Sequence, residues 1–142
     1  MEDPGEVGTQ GRGPRAAQAM RPRVLIIDDE VTITNALRRY LSSDHDVTVE
    51  NDPLAALALL REGTAFDVIL CDLVMPRMNG VQLHRELSVI APGQAAATIL
   101  MSGGSVPRDA VELIASGRVP NLSKPFDLDE LRLLIEAVRT RS

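Results

Sequence analysis

Aromatic residues are nearly absent. The 142-residue chain has no tryptophan, one tyrosine and two phenylalanines. Its core must therefore be aliphatic, built from Val, Leu, Ile and Ala, and platforms for stacking nucleic-acid bases are missing. A basic excess is missing too. Lys and Arg number 15 against 20 Asp and Glu, a formal net charge of −5. Without a basic stripe to neutralise phosphate backbones, the composition argues against nucleic-acid binding. The single cysteine, Cys71, allows no disulfide framework within the chain, which fits a reducing compartment. No apolar run approaches the roughly 20 residues that span a bilayer, and the N-terminus has no apolar signal core. These absences predict a soluble cytoplasmic protein that makes no membrane contact.

What is present suits one compact domain. Hydrophobic residues make up 44% and charged residues 25% of the chain, an ordinary balance for a soluble core. Residues 1–22 are rich in Gly, Pro and small polar residues and have no apolar periodicity. They read as a flexible lead-in or linker. Glu2, Asp3 and Glu6 there balance Arg12, Arg15 and Arg21, so the net negative charge belongs to a domain over residues 23–142. An acidic balance suits a site that collects a cation.

From Arg23 onward, short apolar runs alternate with segments of helical spacing. The runs are Val24–Ile27, Val47–Val49, Val68–Cys71, Ala97–Met101 and a weak Val119–Leu122. Branched residues on successive positions suit strands buried on both faces. Helical stripes follow each run. The first is Ile33, Leu37, Tyr40 and Leu41. The second, Leu54, Leu57, Ala58 and Leu60, opens after Asn51-Asp52-Pro53, a cap with a first-turn proline. Val81, Leu83, Leu87 and Ile90 form a third after Asn79-Gly80. Ala110, Val111, Leu113 and Ile114 form a fourth, ended by Gly117. Asp127 to Glu130 resembles a capping box for the last helix, which buries Leu131, Leu134, Ile135 and Val138. Five strands alternating with five helices predict an α/β fold: a five-stranded parallel sheet with helices on both faces.

In such sheets the reactive crevice lies beyond the carboxyl ends of the strands. Strand one ends in Asp28-Asp29-Glu30, strand three in Asp72, strand four in Ser102 and strand five in Lys124. Crowded carboxylates make one another costlier to ionise, and a bound divalent cation removes that cost. Mg²⁺ prefers oxygen ligands and is commonly held by one or two carboxylates together with phosphate oxygens. Asp72 would then stay ionised, as a carboxylate nucleophile must. Lys124 adds a point charge and Ser102 a hydrogen-bond donor, a set suited to phosphoryl transfer.

Four segments carry a resemblance: Val24-Leu25-Ile26-Ile27-Asp28-Asp29-Glu30, Asp72-Leu73-Val74-Met75-Pro76-Arg77-Met78-Asn79-Gly80, Met101-Ser102-Gly103-Gly104 and Lys124-Pro125-Phe126. Together, at their spacings, they resemble the receiver domain of two-component response regulators over residues 23–140. The resemblance implies a flavodoxin-like (βα)5 fold with Asp72 as phosphoacceptor. It implies Mg²⁺ held by Asp28, Asp29, Asp72 and the backbone carbonyl of Val74. Ser102 would contact phosphoryl oxygens, and Lys124 would pair with Asp72 or its phosphoryl group. The Lys124-Pro125 bond resembles the family's cis peptide, and Gly80 the glycine that starts the third helix. The implied donor is a histidine kinase or a histidine phosphotransfer protein, and the downstream partner would be another protein. The domain would accept a phosphoryl group without being a turnover enzyme.

Two departures qualify the resemblance. Asn121 stands where the family usually has Tyr or Phe, so an aromatic rotamer cannot report phosphorylation. The side chains at Val74 and Gly104 cannot orient an attacking water, which predicts slow self-dephosphorylation. The chain could be a stand-alone regulator or the terminal receiver of a hybrid histidine kinase, and Asn121 leans the reading toward the relay version. The rival functions are a degenerate interaction module that never sees phosphate and a metal-dependent phosphatase with an aspartate nucleophile. The phosphatase reading lacks the second acid often found two residues after the nucleophile, where Val74 stands. Cys71 reads as core, His45 and His84 as surface or helix-edge residues, and Met75, Met78 and Met101 as gap fillers.

Overall fold

The computed structural model describes residues 21–141, and the lead-in expected at residues 1–22 lies outside them up to residue 20. Five strands form one sheet: β1 (Arg23–Ile27), β2 (Asp46–Glu50), β3 (Val68–Asp72), β4 (Thr98–Ser102) and β5 (Asn121–Ser123). All pair in parallel, in the order β2-β1-β3-β4-β5. Among the described residues six helices accompany them, five in the connections and the last after β5: α1 (Val31–Leu41), α2 (Pro53–Arg61), α3 (Gly80–Ile90), α4 (Pro92–Ala96), α5 (Arg108–Ala115) and α6 (Leu128–Arg139). This is the flavodoxin-like arrangement. Its connections run from β1 to opposite sides of the sheet and open a crevice between the ends of β1 and β3.

Strand alternation divides the core into two aliphatic layers. Val24, Ile26, Val68, Leu70, Ile99, Met101 and Leu122 face α1 and α6, where they meet Leu37, Leu41, Leu131, Ile135 and Val138. Leu25, Ile27, Ile69, Cys71 and Leu100 face the other way, onto Leu57, Leu60, Val81, Leu83, Leu87 and Ala110. Each fully buried Leu or Ile contributes about 1.5–3 kcal/mol. The three inner strands therefore hold the sheet rigid, and their carboxyl ends form a fixed platform.

Several local expectations give way to the geometry. The extra helix α4 starts at Pro92, whose fixed φ and missing N–H suit a first helical position. β5 begins at Asn121 rather than Val119. Pro120 cannot donate to a ladder, and only its carbonyl pairs, accepting from Leu100 N at 2.9 Å. β2 is an edge strand and only partly buried. Val111 is 55% exposed, because a 3.6-residue period puts Ala110, Leu113 and Ile114 on the packed face and leaves Val111 off it. By the same arithmetic Leu54 is exposed while Pro53, Ala56, Leu57 and Leu60 are buried. The reciprocal capping box belongs to Asn79 and Gln82 at the start of α3, whereas Asp127 caps α6 through a single bond from Asp129 N. His45 is buried, with Nδ1 2.9 Å from Asp44 Oδ1 and 3.2 Å from the Leu41 carbonyl.

Candidate functional site

Asp28 follows β1 directly and is fully buried. Its backbone is held on both sides: its N–H donates to the Glu50 carbonyl at 3.2 Å, and its carbonyl accepts from Asn51 Nδ2 at 2.8 Å. Asn51 Nδ2 also donates to Thr34 Oγ1 at 3.0 Å, tying the β2–α2 turn to α1. The Asp28 carboxylate accepts from Glu30 N at 3.0 Å, which turns the chain and leaves Asp29 exposed at the rim. The sequence singles out Asn51 only as part of a helix cap and Thr34 not at all. A turn Asn and a helical Thr carry no signal until their partner is known.

Asp72 closes β3 and is 5% exposed. One carboxylate oxygen from each of Asp28, Asp29 and Asp72 lies within 4.8 Å of the others. Lys124 follows β5, and its N–H donates to the Ser102 carbonyl at 2.7 Å. Its Nζ lies 3.0 Å from Asp72 Oδ1, 3.1 Å from Asp28 Oδ2 and 3.9 Å from Glu30 Oε1. The Lys124–Pro125 peptide is cis. Sequence reasoning paired Lys124 with Asp72. That the ammonium also bridges to Asp28 emerges only from the three-dimensional arrangement.

Burial pushes the Asp72 carboxyl up to about 6. The hydrogen bond from Lys124 opposes that rise, and the Asp28 charge adds to it. Burial alone would lower the Lys124 ammonium, but its bonds to Asp72 and Asp28 outweigh this, so it stays raised and charged. Burial also drives the Cys71 thiol well above its ordinary range, with Asp72 and Asp28 adding to the effect. A thiol so placed is an inert core group.

Ser102 closes β4 and is 2% exposed. Above these strand ends lies a cleft of about 420 Å³, lined by Asp29, Glu30, Asp72, Val74, Gly103, Gly104, Ser105 and Lys124. The structure thus brings Asp28, Asp29, Asp72 and Lys124 into one cluster and sets Val74 on the cleft wall. Ser102 sits at the neighbouring strand end, but the lining there comes from the residues that follow it. Gly80 packs so tightly against the site that a Cβ would stand 2.7 Å from the Asp72 carbonyl oxygen.

A family model, the response regulator receiver domain, matches residues 24–136. The chain belongs to this family. It is a receiver domain of the two-component signalling type. It is 32% identical to the transcriptional regulatory protein ZraR of Klebsiella oxytoca over 113 residues, covering 79% of this chain and 25% of ZraR. It is 29% identical to the protein PetR of Rhodobacter capsulatus over 123 residues, 87% of this chain and 51% of PetR. The receiver domain thus spans about a quarter to a half of these relatives. Among solved structures, a response regulator receiver domain protein from Clostridium thermocellum superimposes with a TM-score of 0.75 at 27% identity, covering 84% of this chain and 95% of that one. Among the described residues no helix is long and apolar enough to cross a membrane.

Proposed function

We propose that this receiver domain accepts a phosphoryl group on Asp72 from a phosphohistidine partner, either a histidine kinase or a phosphotransfer protein, with Mg²⁺ beside the acceptor. The observation that carries the reading is the convergence on Asp72 of two acids from one side and the Lys124 ammonium from the other. The three carboxylates are hard oxygen donors close enough to share one small cation, so the residues present fit Mg²⁺. Asp28, Asp29 and Asp72 would hold it, with the Val74 carbonyl completing the protein ligands. When bound, the ion supplies neutralisation of phosphoryl oxygens that the acids would otherwise repel.

The chain's own residues do the rest. A carboxylate oxygen of Asp72 attacks phosphorus, forming the P–O bond as the P–N bond to the partner's imidazole breaks and its electron pair leaves with that nitrogen. Lys124 stabilises charge on the phosphoryl oxygens. The Ser102 hydroxyl donates to one of them, drawing loop 102–105 inward. Neither Val74 nor Gly104 presents a side chain that can orient an attacking water, which favours a long-lived aspartyl phosphate. The signal passes to a protein partner when the β4–α5 loop and the α5–β5–α6 surface rearrange. The protein works in the cytoplasm and does not turn over a substrate of its own.

The test uses beryllofluoride, which mimics a phosphoryl group on a carboxylate. Fluorine NMR of the full chain with Mg²⁺ and beryllofluoride should show a bound signal in the wild type and none in Asp72→Asn. A bound signal of equal intensity in both would place the acceptor elsewhere.

A further inference from the structure

The loop between β3 and α3 carries Val74 into the cleft wall, and its apex is strained. Arg77 has φ +72°, and the N–H of Met78 donates back to the Pro76 carbonyl at 2.8 Å. An i→i+2 bond around a residue of positive φ marks the rarer and strained form of γ-turn. A left-handed backbone disfavours any side chain with a Cβ, and arginine is neither Gly nor the Asn or Asp that tolerates it best. Such a conformation persists only where surrounding contacts hold it.

Met75 and Met78 on either side pack into the core, and one ion pair holds the Arg77 side chain between them. An Arg77 guanidinium nitrogen lies 2.7 Å from Asp52 Oδ1, and the same oxygen accepts from Leu54 N at 3.0 Å as the N-cap of α2. The residue before Asp52 is Asn51, whose side chain grips the Asp28 carbonyl at 2.8 Å. Asn51 and Asp52 therefore bridge the loop after β1, which carries Asp28 and Asp29, and the loop after β3, which carries Val74. The other backbone ties of the β3–α3 loop are at its ends, from Leu73 N to the Met101 carbonyl, from Gly80 N to the Leu73 carbonyl and from Asn79 N to Gln82 Oε1. Among the described residues Asp52 is the one polar partner of the Arg77 side chain.

We infer that the Arg77–Asp52 ion pair is a positioning clamp for the cation site, keeping the β3–α3 loop closed so that the Val74 carbonyl meets the ion. This inference rests on the proposed binding of Mg²⁺ at the acid cluster. Simple electrostatics and the clamp predict opposite signs for one variant. Removing the positive Arg77 raises the local negative charge, which by itself tightens binding of a cation. Loss of the clamp loosens the loop and weakens it.

The experiment is an Mg²⁺ titration of the full chain followed by amide NMR shifts, for wild type, R77Q, R77K, D52N and R77Q/D52N. Asn at position 52 can still cap α2, and thermal melting checks that each variant folds. The clamp predicts that R77Q and D52N each weaken Mg²⁺ binding about two- to fivefold, the range an exposed ion pair supports. It further predicts that the double variant is no weaker than the worse single one, and that R77K recovers most of the wild-type affinity. R77Q binding Mg²⁺ as tightly as wild type, or more tightly, overturns the clamp while leaving the acid site intact. A wild-type chain that shows no shift with Mg²⁺ overturns both.

Discussion

Lys124 Nζ lies 3.0 Å from Asp72 Oδ1, an ammonium from the end of one edge strand meeting a carboxylate at the middle of the sheet. The same nitrogen reaches the buried Asp28. One cation thus serves two acids, and the charge balance of the metal-free site depends on it. Lys124→Met leaves both carboxylates without a cationic partner in a site that water reaches only in part. Removing one partner of a buried pair is strongly destabilising, and here the loss should be about 2 kcal/mol, moderated by the open cleft. Urea denaturation without divalent ions measures it. Adding Mg²⁺ should recover more stability in the variant than in wild type, and equal gains would contradict this.

The pH dependence follows from Asp72. Its folded value, about 6, lies above the ordinary 3.8. Between those values the native state binds more protons than the unfolded chain, so this group's contribution to stability falls as pH rises through the window. Above pH 6 the ionised carboxylate is a net burden that Asp72→Asn removes. Without divalent ions the variant should be more stable than wild type at neutral pH by on the order of 1 kcal/mol, after allowing for solvent in the cleft. The gain should shrink as pH falls below 6 and vanish below 3.8. Thermal melts across that range check the sign.

Asn121 carries a buried side-chain oxygen with no hydrogen-bond partner. An unpaired buried acceptor loses its hydration without recompense, and an apolar replacement of similar size removes the penalty. Asn121→Val also places a β-branched residue in a strand, where such residues fit. Stability should rise by about 1 kcal/mol in chemical denaturation. A loss of stability would mean that the oxygen finds a partner in solution.

Gly80 permits the approach of α3 to β3. An alanine Cβ would sit 2.7 Å from the Asp72 carbonyl oxygen and 3.1 Å from Leu73 Cα, and both are backbone atoms that cannot rotate away. Gly80→Ala should destabilise the protein by about 1–3 kcal/mol despite alanine's better helix propensity, since overpacking against backbone outweighs it. A melting temperature at or above wild type would contradict this.

The parallel strands and their ends are legible in the sequence because burial on two faces demands unbroken aliphatic runs such as Val24–Ile27 and Val68–Cys71, and a polar residue ends each run. The acids at 28, 29 and 72 stood out for that reason. The strand order is not legible there, and the flavodoxin-like fold rests on the family resemblance. Less was legible where the signal is relational. Val111 reads as part of one helical stripe with Ala110, Leu113 and Ile114, while its phase on the folded helix turns it outward. The hold of Asn51 on Asp28, and the pairing of Asp52 with Arg77, join residues that nothing in the linear order connects. A left-handed arginine leaves no sequence signature at all, since its conformation is imposed by contacts made across the fold.

The central claim concerns the acceptor itself. The direct measurement is the intact mass of the full chain after incubation with acetyl phosphate and Mg²⁺, for wild type and Asp72→Asn. The account predicts that the wild type gains the mass of one phosphoryl group, which hydroxylamine removes, and that the variant gains none. Equal gain in both proteins, or no gain in wild type that has folded and bound Mg²⁺, would contradict it.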